Sequence, residues 1–491
     1  MNFNSFSFLI FLPIVFLLYW CMPNKHWKNL VLLVASYVFY ACFDWRFAIL
    51  LLFISLTSYC IGQYINSIKD ESGRSSKSVI ANTINVIIGI ITIGIFKYYN
   101  FFAESLIYTF GKIGITLDVP TLHLILPIGI SFYVFQSMSY TIDIDRGIIK
   151  PENDIINYLT YISFFPKIVA GPIERASNML PQLGTERNFE YSLAVDGMRQ
   201  MLWGYLKKCV IADNCLKIVN TLWPQYDHLT AASLLFISIY YSIQIYCDFS
   251  GYSDIAIGCG KLFGIRMMQN FNYPYFSRNI REFWQRWHMS LMFWFRDYIY
   301  FPLGGSRCSK SRSFLNTLVV FSISGLWHGA NWTYVVWGIY HAILFLPLMI
   351  FKSQKYKGIC GEGKILPTCK EMGKISLTLL LVLFGWIIFR ADSLSQALHF
   401  IGNMFDLSIF NISKTMTELK GTGCNITSTT FFSALIFFIE WFQRDKKYGL
   451  EIMPSSMIVK YRWLRWSIYL LAAYVILSFA GTESAFIYVQ F

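Results

Sequence analysis

The sequence predicts an all-α polytopic membrane protein. Of its 491 residues, 55% are hydrophobic and only 14% are charged, whereas soluble domains carry roughly 25% charged residues. A mean hydropathy of +0.46 means that the apolar residues exceed what one globular core of this length could bury, so lipid supplies the remaining apolar environment. The composition therefore excludes an ordinary soluble enzyme.

Apolar runs recur along the chain, and most approach the roughly 20 residues that a spanning helix needs. The predicted runs are 6–22, 29–43, 47–65, 79–96, 122–140, 230–247, 313–351, 375–389, 428–442 and 466–481. The first run has no basic leader and no cleavage site of small residues, so we expect it to be retained as a span. The run at 313–351 is long enough for two crossings joined by a tight turn.

The net charge of +13 would suggest nucleic-acid binding in a soluble protein. Here the basic residues cluster in short loops between apolar runs, as cytoplasmic loops do. The basic loops near 25–28, 69–77, 352–374 and 443–465 predict that both termini lie on the periplasmic or extracellular side. We expect no nucleic-acid partner.

We expect a single membrane domain with three parts. N-terminal spans occupy 1–150, a central catalytic core occupies 151–351, and a cytoplasmic loop with C-terminal spans occupies 352–491. Between about 150 and 310 the sequence mixes apolar and charged residues too finely for regular spans, which predicts short, tilted or re-entrant helices. Irregular backbone at membrane depth persists only where protein or a water-filled cavity surrounds it, so the site is expected there.

Several common catalytic signatures are missing from the sequence. There is no GxSxG elbow, no GxxxxGK[ST] loop and no HExxH motif, so serine hydrolase, P-loop ATPase and zinc protease interpretations lose their support. The 11 cysteines show no CxxC pair or metal-ligand spacing, and we interpret them as packing residues. No metal site is expected.

A histidine inside the long apolar run is the first candidate for chemistry. His328 lies between Gly325 and Gly329, beside Trp327 and shortly before Asn331. An imidazole at this depth is unusual, and these neighbours favour a functional site over a buried core histidine. A second histidine thirteen residues later lies in a plain helical stretch and is interpreted as a core residue.

The second candidate is an unusual charged and aromatic segment, 277–297. It contains Arg281, Arg286, Trp287, His288 and Arg296. One interpretation is an amphipathic helix at the membrane interface. The other is a binding segment for an anionic donor, such as a thioester on a nucleotide carrier, because guanidinium groups suit anionic ligands.

Five long strings carry a resemblance to a known family. They are LPIGISFYVFQSMSYTIDIDRG (126–147), FFPKIVAGPIERA (164–176), QIYCDFSGYSDIAIGCGKLFGI (244–265), NFNYPYFSRNIREFWQRWHMSLMFWFRDYIYFPLGGSR (270–307) and GLWHGANWTYVVWGIYHA (325–342). With them the chain resembles the membrane-bound O-acyltransferase family, specifically the bacterial branch typified by the membrane subunit of alginate O-acetyltransferase. The likeness runs almost end to end and is weakest after about residue 395. The D-alanyl transfer branch shares the FWQRWHMSL-like string but is less similar around PLGGSR.

The resemblance implies a fold and a site. The implied fold is a ring of about ten to twelve transmembrane helices around a thin central core. The family's essential histidine falls on His328 and its second histidine on His288. We expect seven further residues to contact the donor or line an acyl channel: Arg281, Arg286, Trp287, Arg296, Trp327, Asn331 and Asp248.

The expected reaction is O-acyl transfer at the bacterial inner membrane. A base of near-neutral pKa takes the hydroxyl proton during attack on a thioester, and His328 suits that role. His288 is expected to orient or assist the thioester. No bound cofactor is expected, and the donor is acetyl-CoA or another acyl thioester. The expected acceptor is an exported polysaccharide such as alginate, reached directly or through a periplasmic SGNH-type acetyltransferase.

Other functions remain open from the sequence. The chain could transport a polysaccharide or lipid-linked sugar without acyl chemistry, or transfer D-alanyl groups to cell-wall polymers. It could also serve as a channel subunit that relays acyl groups to a periplasmic enzyme. Direct transfer and a transient acyl-enzyme are equally compatible with these residues.

Overall fold

The regular secondary structure of the protein is helical. The computed structural model describes residues 1–68, 75–122, 124–351, 356, 358–452, 461–481 and 486, and no strand occurs among them. Within these residues, five helices are long and apolar enough to cross a membrane. They are Trp45–Ser67, Ser76–Lys112, Ala231–Leu262, Trp332–Ile350 and Cys369–Arg390. The prediction of an all-α polytopic membrane protein is confirmed.

Some of the basic residues behind the predicted topology lie outside the described part of the chain. They are Lys69, Arg74, Lys352, Lys355, Lys357 and Lys460. The predicted orientation therefore stays a prediction, as does the division of the chain into three parts.

The chain separates into two compact units. Among the described residues, the first contains Met1–Ala194 and Cys259–Met268, and the second contains Val195–Gly258 and those from Gln269 onward. The helices of the first unit are α1 (Phe6–Cys21), α2 (Lys25–Ala41), α3 (Trp45–Ser67), α4 (Ser76–Ile93), α5 (Tyr99–Lys112), α6 (Ile130–Asp145), α7 (Ile155–Ser163), α8 (Phe165–Ile168) and α9 (Ala176–Gly184). A π-helical turn, Gly94–Tyr98, joins α4 to α5.

Helix α6 is the buried centre of the first unit, packed against α3 and α4. Two of its buried polar side chains, Thr141 and Asp145, bond to side chains on α4, which meets the need of buried polar groups for partners. Asn85 donates to the Thr141 hydroxyl at 2.9 Å, and Ser78 donates to the Asp145 carboxylate at 2.7 Å. These bonds explain why polar residues are tolerated inside an apolar bundle.

The predicted span at 122–140 is wrong in its first half, because the helix begins only at Ile130. Pro127 has no N–H to donate, and Gly129 is in the left-handed region at φ 72°, so both oppose a helix there. The preceding backbone is satisfied by a side chain instead. Asn100 accepts from the Leu122 N–H at 2.9 Å and donates to the Leu122 carbonyl at 2.8 Å.

The remaining helices lie wholly or mainly in the second unit. They are α10 (Tyr191–Tyr205), α11 (Asp213–Leu222), α12 (Ala231–Leu262), α13 (Ile280–Arg286), α14 (Met289–Phe295), α15 (Lys310–His328), α16 (Trp332–Ile350), α17 (Cys369–Arg390), α18 (Leu394–Asn403), α19 (Ile412–Lys420), α20 (Ile426–Phe442) and α21 (Arg462–Phe479). Shorter turns occur between them: π-helical at Leu206–Ala212 and Arg296–Tyr300, and 3₁₀ at Trp223–Gln225, Pro274–Phe276 and Leu407–Phe410. The short α13 and α14 lie in the stretch where short helices are predicted. The prediction is wrong for α12, which lies in the same stretch but has 32 residues and is apolar enough to cross a membrane.

The long apolar run forms a helical hairpin, as predicted, with α15 and α16 joined by the turn after His328. A Cβ on Gly325 would lie 2.1 Å from the Tyr334 carbonyl oxygen, and one on Gly338 would lie 2.1 Å from the Phe321 carbonyl oxygen. The two pairings show that the helices are antiparallel. Glycine at both contacts allows the two backbones to approach closely.

Candidate active site

His328 is the last residue of α15, and its side chain is buried. Three aromatic rings surround the imidazole. The ring centroids of Trp327, Trp337 and Phe389 lie 4.9, 5.1 and 5.2 Å from the imidazole centroid. These rings exclude water from the imidazole, which suits a base that acts on a hydroxyl and must not activate water instead.

His288 lies between α13 and α14 and is 1% exposed. Its backbone is in the left-handed region at φ 44°, an uncommon conformation for a residue other than glycine and one often found at functional sites. The Phe249 ring contacts the imidazole edge-on at 4.6 Å, and the Trp327 indole lies 5.8 Å away. The Trp327 indole therefore contacts both candidate histidines.

A row of tryptophans passes beside the two histidines. Trp287 precedes His288, and its ring lies 4.9 Å from Trp386. Trp386 stacks on Trp337 at 6.0 Å, and Trp337 contacts His328. Trp287, predicted to be a site residue, is thus part of the wall that joins the two histidine environments.

Three arginines of the 277–297 segment lie in ion pairs: Arg278, Arg286 and Arg296. Arg286 contacts the Glu282 carboxylate at 2.9 Å, and the same carboxylate also binds Arg278. Arg296 is exposed and contacts its neighbour Asp297 at 2.7 Å. Arg281 lies partly buried on α13. Arg286 and Arg296 thus lie in separate ion pairs.

Asn331 and Asp248 have structural contacts of their own. The Asn331 side chain caps α16 by accepting from the Thr333 N–H at 3.0 Å, and it donates to the Asp392 carbonyl at 3.0 Å. The buried Asp248 carboxylate accepts from Lys208 at 2.6 Å. Both predicted site residues thus have partners that stabilise local structure.

A small polar pocket, with a cavity volume of about 10 Å³, lies beside Asn270 within the second unit. Its walls include two cations, Lys207 and Lys447, and two acids, Asp254 and Glu440. Lys207 and Asp254 form a buried ion pair at 2.6 Å. No local sequence signal indicates this pocket, because its walls come from separated segments of the chain.

Tyr448 lines the same pocket and anchors the segment after α20. Burial raises the pKa of its phenol well above the usual range, so the hydroxyl stays protonated and acts as a donor. It donates to the Asp196 carbonyl at 3.1 Å and to the Asp196 carboxylate. The segment that carries Lys447 is therefore fixed to α10.

The sequence reasoning missed four neighbours of the histidines and one tryptophan packed behind them: Phe249, Asn270, Trp337 and Phe389, and Trp386. The first three lie inside strings that carry the family resemblance, and that is the signal that could have found them. Trp386 and Phe389 lie on α17, outside those strings. Only tertiary packing places them beside the hairpin.

The sequence matches the family described as "MBOAT, membrane-bound O-acyltransferase family" over residues 5–355. It is 36% identical to the probable alginate O-acetylase AlgI of Pseudomonas aeruginosa, over 89% of this chain and 80% of that protein. It is 32% identical to the peptidoglycan O-acetyltransferase of Helicobacter pylori, over 85% of this chain and 82% of that protein.

A third relative is the teichoic acid D-alanyltransferase of Bacillus subtilis, 32% identical over 55% of this chain and 70% of that protein. The family match contains both candidate histidines and the whole α15–α16 hairpin. Together with the apolar spanning helices, these matches identify the chain as a multi-pass membrane enzyme with O-acyltransferase activity that belongs to the membrane-bound O-acyltransferase family.

Proposed function

We propose that the enzyme transfers acetyl groups from a cytoplasmic thioester, acetyl-CoA in the simplest case, to hydroxyl groups of an exported polysaccharide such as alginate. The transfer is direct or passes through a periplasmic SGNH-type acetyltransferase. The names of the relatives from Pseudomonas aeruginosa and Helicobacter pylori support an acetyl group and a polymer acceptor. The structural observation behind the proposal is that two buried histidines contact one indole.

In the proposed reaction His328 acts as the general base. It takes the proton of the acceptor hydroxyl while the hydroxyl oxygen attacks the thioester carbonyl carbon. The carbon–sulfur bond then breaks, and the imidazolium returns the proton to the departing thiolate. His288 orients the thioester. In the alternative route a nucleophile of the enzyme attacks the thioester first, and His328 passes the nucleophile's proton to the departing thiolate. The acceptor hydroxyl then attacks the acyl-enzyme, and His328 passes the hydroxyl proton to the released nucleophile.

The donor is proposed to enter from the side of the 443–465 loop. Lys447 of this loop lines the polar pocket that reaches Asn270, next to His288. Arg281, Arg286 and Arg296 keep their proposed role as contacts for anionic parts of the donor. For that role Arg286 and Arg296 would exchange their present carboxylate partners for the donor's anionic groups.

The proposed setting is the bacterial inner membrane, with both termini on the periplasmic side. In this orientation the thioester is available on the cytoplasmic side and the polymer on the other. The active centre must then be accessible from both sides of the membrane. Its position beside a helical hairpin within the apolar part of the chain supports this arrangement.

The proposal is tested with purified enzyme in lipid nanodiscs, radiolabelled acetyl-CoA and a polysaccharide acceptor. His328→Ala is expected to lower the rate by about 10²- to 10⁴-fold, the usual contribution of general base catalysis, and His288→Ala is also expected to lower it. The matched control is His399→Ala, because His399 is an exposed histidine on α18. A His328→Ala enzyme with the wild-type rate would contradict the assignment.

D-alanyl transfer is the second candidate, because of the likeness to the Bacillus subtilis enzyme. The same preparation is offered an acetyl thioester and a D-alanyl thioester in parallel. We expect transfer of acetyl only, since the two relatives named for acetylation align with more of this chain. The transporter alternative lacks comparable support, because the names of all three relatives describe acyl transfer.

A further inference from the structure

Asn270 is bound to His288 and to the residues that follow it. The Asn270 side-chain oxygen, Oδ1, lies 3.1 Å from His288 Nδ1, 2.9 Å from Ser290 Oγ and 3.3 Å from the Ser290 backbone nitrogen. Its amide nitrogen donates to Ser253 Oγ at 3.1 Å. Asn270 and Ser290 are fully buried, and His288 and Ser253 nearly so. Bulk water therefore does not compete for these bonds.

These bonds determine which way the Asn270 amide faces. A backbone N–H can only donate, so the atom that faces the Ser290 nitrogen must be the amide oxygen. That oxygen can only accept, so the nearby His288 Nδ1 must carry a hydrogen and donate it. In the neutral imidazole the lone pair is then on Nε2. The contacts thus select one tautomer of His288.

Asn270 also holds the backbone of this turn. Its own carbonyl oxygen accepts from the Met289 N–H at 2.9 Å. This bond lies next to His288, whose left-handed φ of 44° is unfavourable for a residue with a Cβ. Bonds from the side chain and from the main chain of one residue therefore keep His288 in a conformation that it would not adopt readily alone.

We infer that Asn270 is a positioning residue of the acyl transfer: it holds His288 as the Nδ1–H tautomer and in its left-handed turn, so that the Nε2 lone pair accepts a hydrogen bond from an amide N–H of the thioester donor and orients the thioester. The inference rests on the proposed function of His288 and adds a residue to it. Asn270 does not itself contact the reacting atoms in this scheme. Its effect on the rate is transmitted entirely through the His288 imidazole.

The first test is a double-mutant cycle in the nanodisc assay. Asn270→Leu is expected to lower the rate about 10- to 100-fold, as loss of a partner that orients a functional histidine does. In a His288→Ala background the same change should lower the rate little further, because the group it positions is gone. An equal loss in both backgrounds, with folded protein, would overturn the inference.

The conservative variant Asn270→Asp should keep most of the activity that Asn270→Leu loses, if the inference holds. A carboxylate still accepts from Nδ1, and its charge favours protonated imidazole, so activity should largely return and the pH–rate profile should move to higher pH. A purely structural role for the amide predicts no movement of the profile. An unchanged profile in an active Asn270→Asp enzyme would overturn the inference.

A second measurement does not depend on activity. Protein labelled with ¹⁵N-histidine is studied by solid-state NMR, and the His288 signals are assigned by their loss in His288→Gln. Wild type should show the Nδ1–H tautomer, and Asn270→Leu should lose it. The Nε2–H tautomer in wild type would overturn the inference even if acyl transfer is confirmed. Absence of any transfer with the Nδ1–H tautomer intact would instead count against the proposed function.

Discussion

His288 and His328 are linked by a shared contact with the indole of Trp327. The indole centroid lies 4.9 Å from the His328 ring and 5.8 Å from the His288 ring. The Trp327 side chain is buried, so its position is fixed by packing. One aromatic side chain thus sets the spacing between two imidazoles from different parts of the chain. Changing it alters the geometry of both histidines and removes neither.

Trp327→Ala should therefore impair catalysis and stability together. We expect the rate to fall about 100-fold, the size of effect that misplacing a catalytic group by about 1 Å can have. The free energy of unfolding should fall by about 3–5 kcal/mol, as for other buried tryptophans replaced by alanine. Initial rates and thermal unfolding in detergent measure the two effects.

The matched control for this change is Trp332→Ala. Trp332 begins α16 a few residues away and is 53% exposed, so its loss should cost little stability and little rate. Trp327→Phe keeps an aromatic ring and should lose less than Trp327→Ala. A Trp327→Ala enzyme that folds and retains the wild-type rate would show that the indole does not set the histidine spacing.

Gly325→Ala should destabilise the α15–α16 hairpin. The added methyl group would meet the Tyr334 carbonyl oxygen of the facing helix, and neither backbone can move without disturbing the packing between them. We expect a lower unfolding temperature, measured by intrinsic fluorescence. Gly373→Ala on α17 is the control, since a Cβ there has no atom within 4 Å. The free energy of unfolding of that control should rise by about 1 kcal/mol, because alanine has a higher helix propensity than glycine.

Gly329 has a packing role that can be separated by experiment from any effect on the predicted acyl channel. A Cβ at Gly329 would lie 2.2 Å from a Tyr334 ring carbon, and the Tyr334 ring packs on Phe389, a neighbour of His328. Gly329→Ala should therefore lose activity by displacing Tyr334. Adding Tyr334→Leu should restore part of the rate in the nanodisc assay. No recovery in a folded double variant would favour obstruction of an acyl passage instead.

Asp248→Ala is expected to act on stability and leave donor affinity unchanged. Asp248 shares Lys208 with Asp213, at 2.6 and 2.8 Å, and all three side chains are buried. Removing one partner of a buried ion pair typically costs about 3–5 kcal/mol. The KM for the donor in the folded enzyme should stay at its wild-type value. The control is Asp227→Ala at an exposed position, and a raised KM for Asp248→Ala alone would assign Asp248 to the donor site.

The fold was predictable because lipid-facing helices show directly in the sequence. A helix such as α17 can be recognised from its own apolar residues, without knowledge of what it packs against. The predicted run 375–389 lies within its bounds. The backbone before Ile130 was not predictable in this way. Its composition is apolar, yet Pro127 and Gly129 end the helix and Asn100 bonds to the extended segment.

The two histidines could be proposed from the sequence, whereas the residues that hold them could not. His328 stands out through its local neighbours, and the family resemblance implied His288. Asn270 bonds to Ser290, 20 residues further along the chain, and no periodicity connects two residues in irregular backbone. Contacts of this kind depend on tertiary structure, and single-residue signals do not encode them.

Two native cysteines allow the predicted orientation to be tested without introducing new cysteines. Cys42 follows α2 and Cys369 begins α17, and both are exposed. If both termini lie outside, the basic loop near 25–28 is cytoplasmic and Cys42 lies on the outer side. Cys369 belongs to the 352–374 loop and lies on the cytoplasmic side. Two variants are compared in intact cells, each retaining one of these cysteines as its single cysteine.

A membrane-impermeant maleimide should label the Cys42 protein in intact cells and the Cys369 protein only after the inner membrane is opened. The reason is that cytoplasmic loops retain lysine and arginine, and the 352–374 loop is among the most basic stretches of the chain. Labelling of both proteins after permeabilisation serves as the control for accessibility. Labelling of Cys369 in intact cells would reverse the orientation, and Lys447 with its pocket would then face the polymer side. The donor would in that case have to enter at the opposite end of the His288–His328 site.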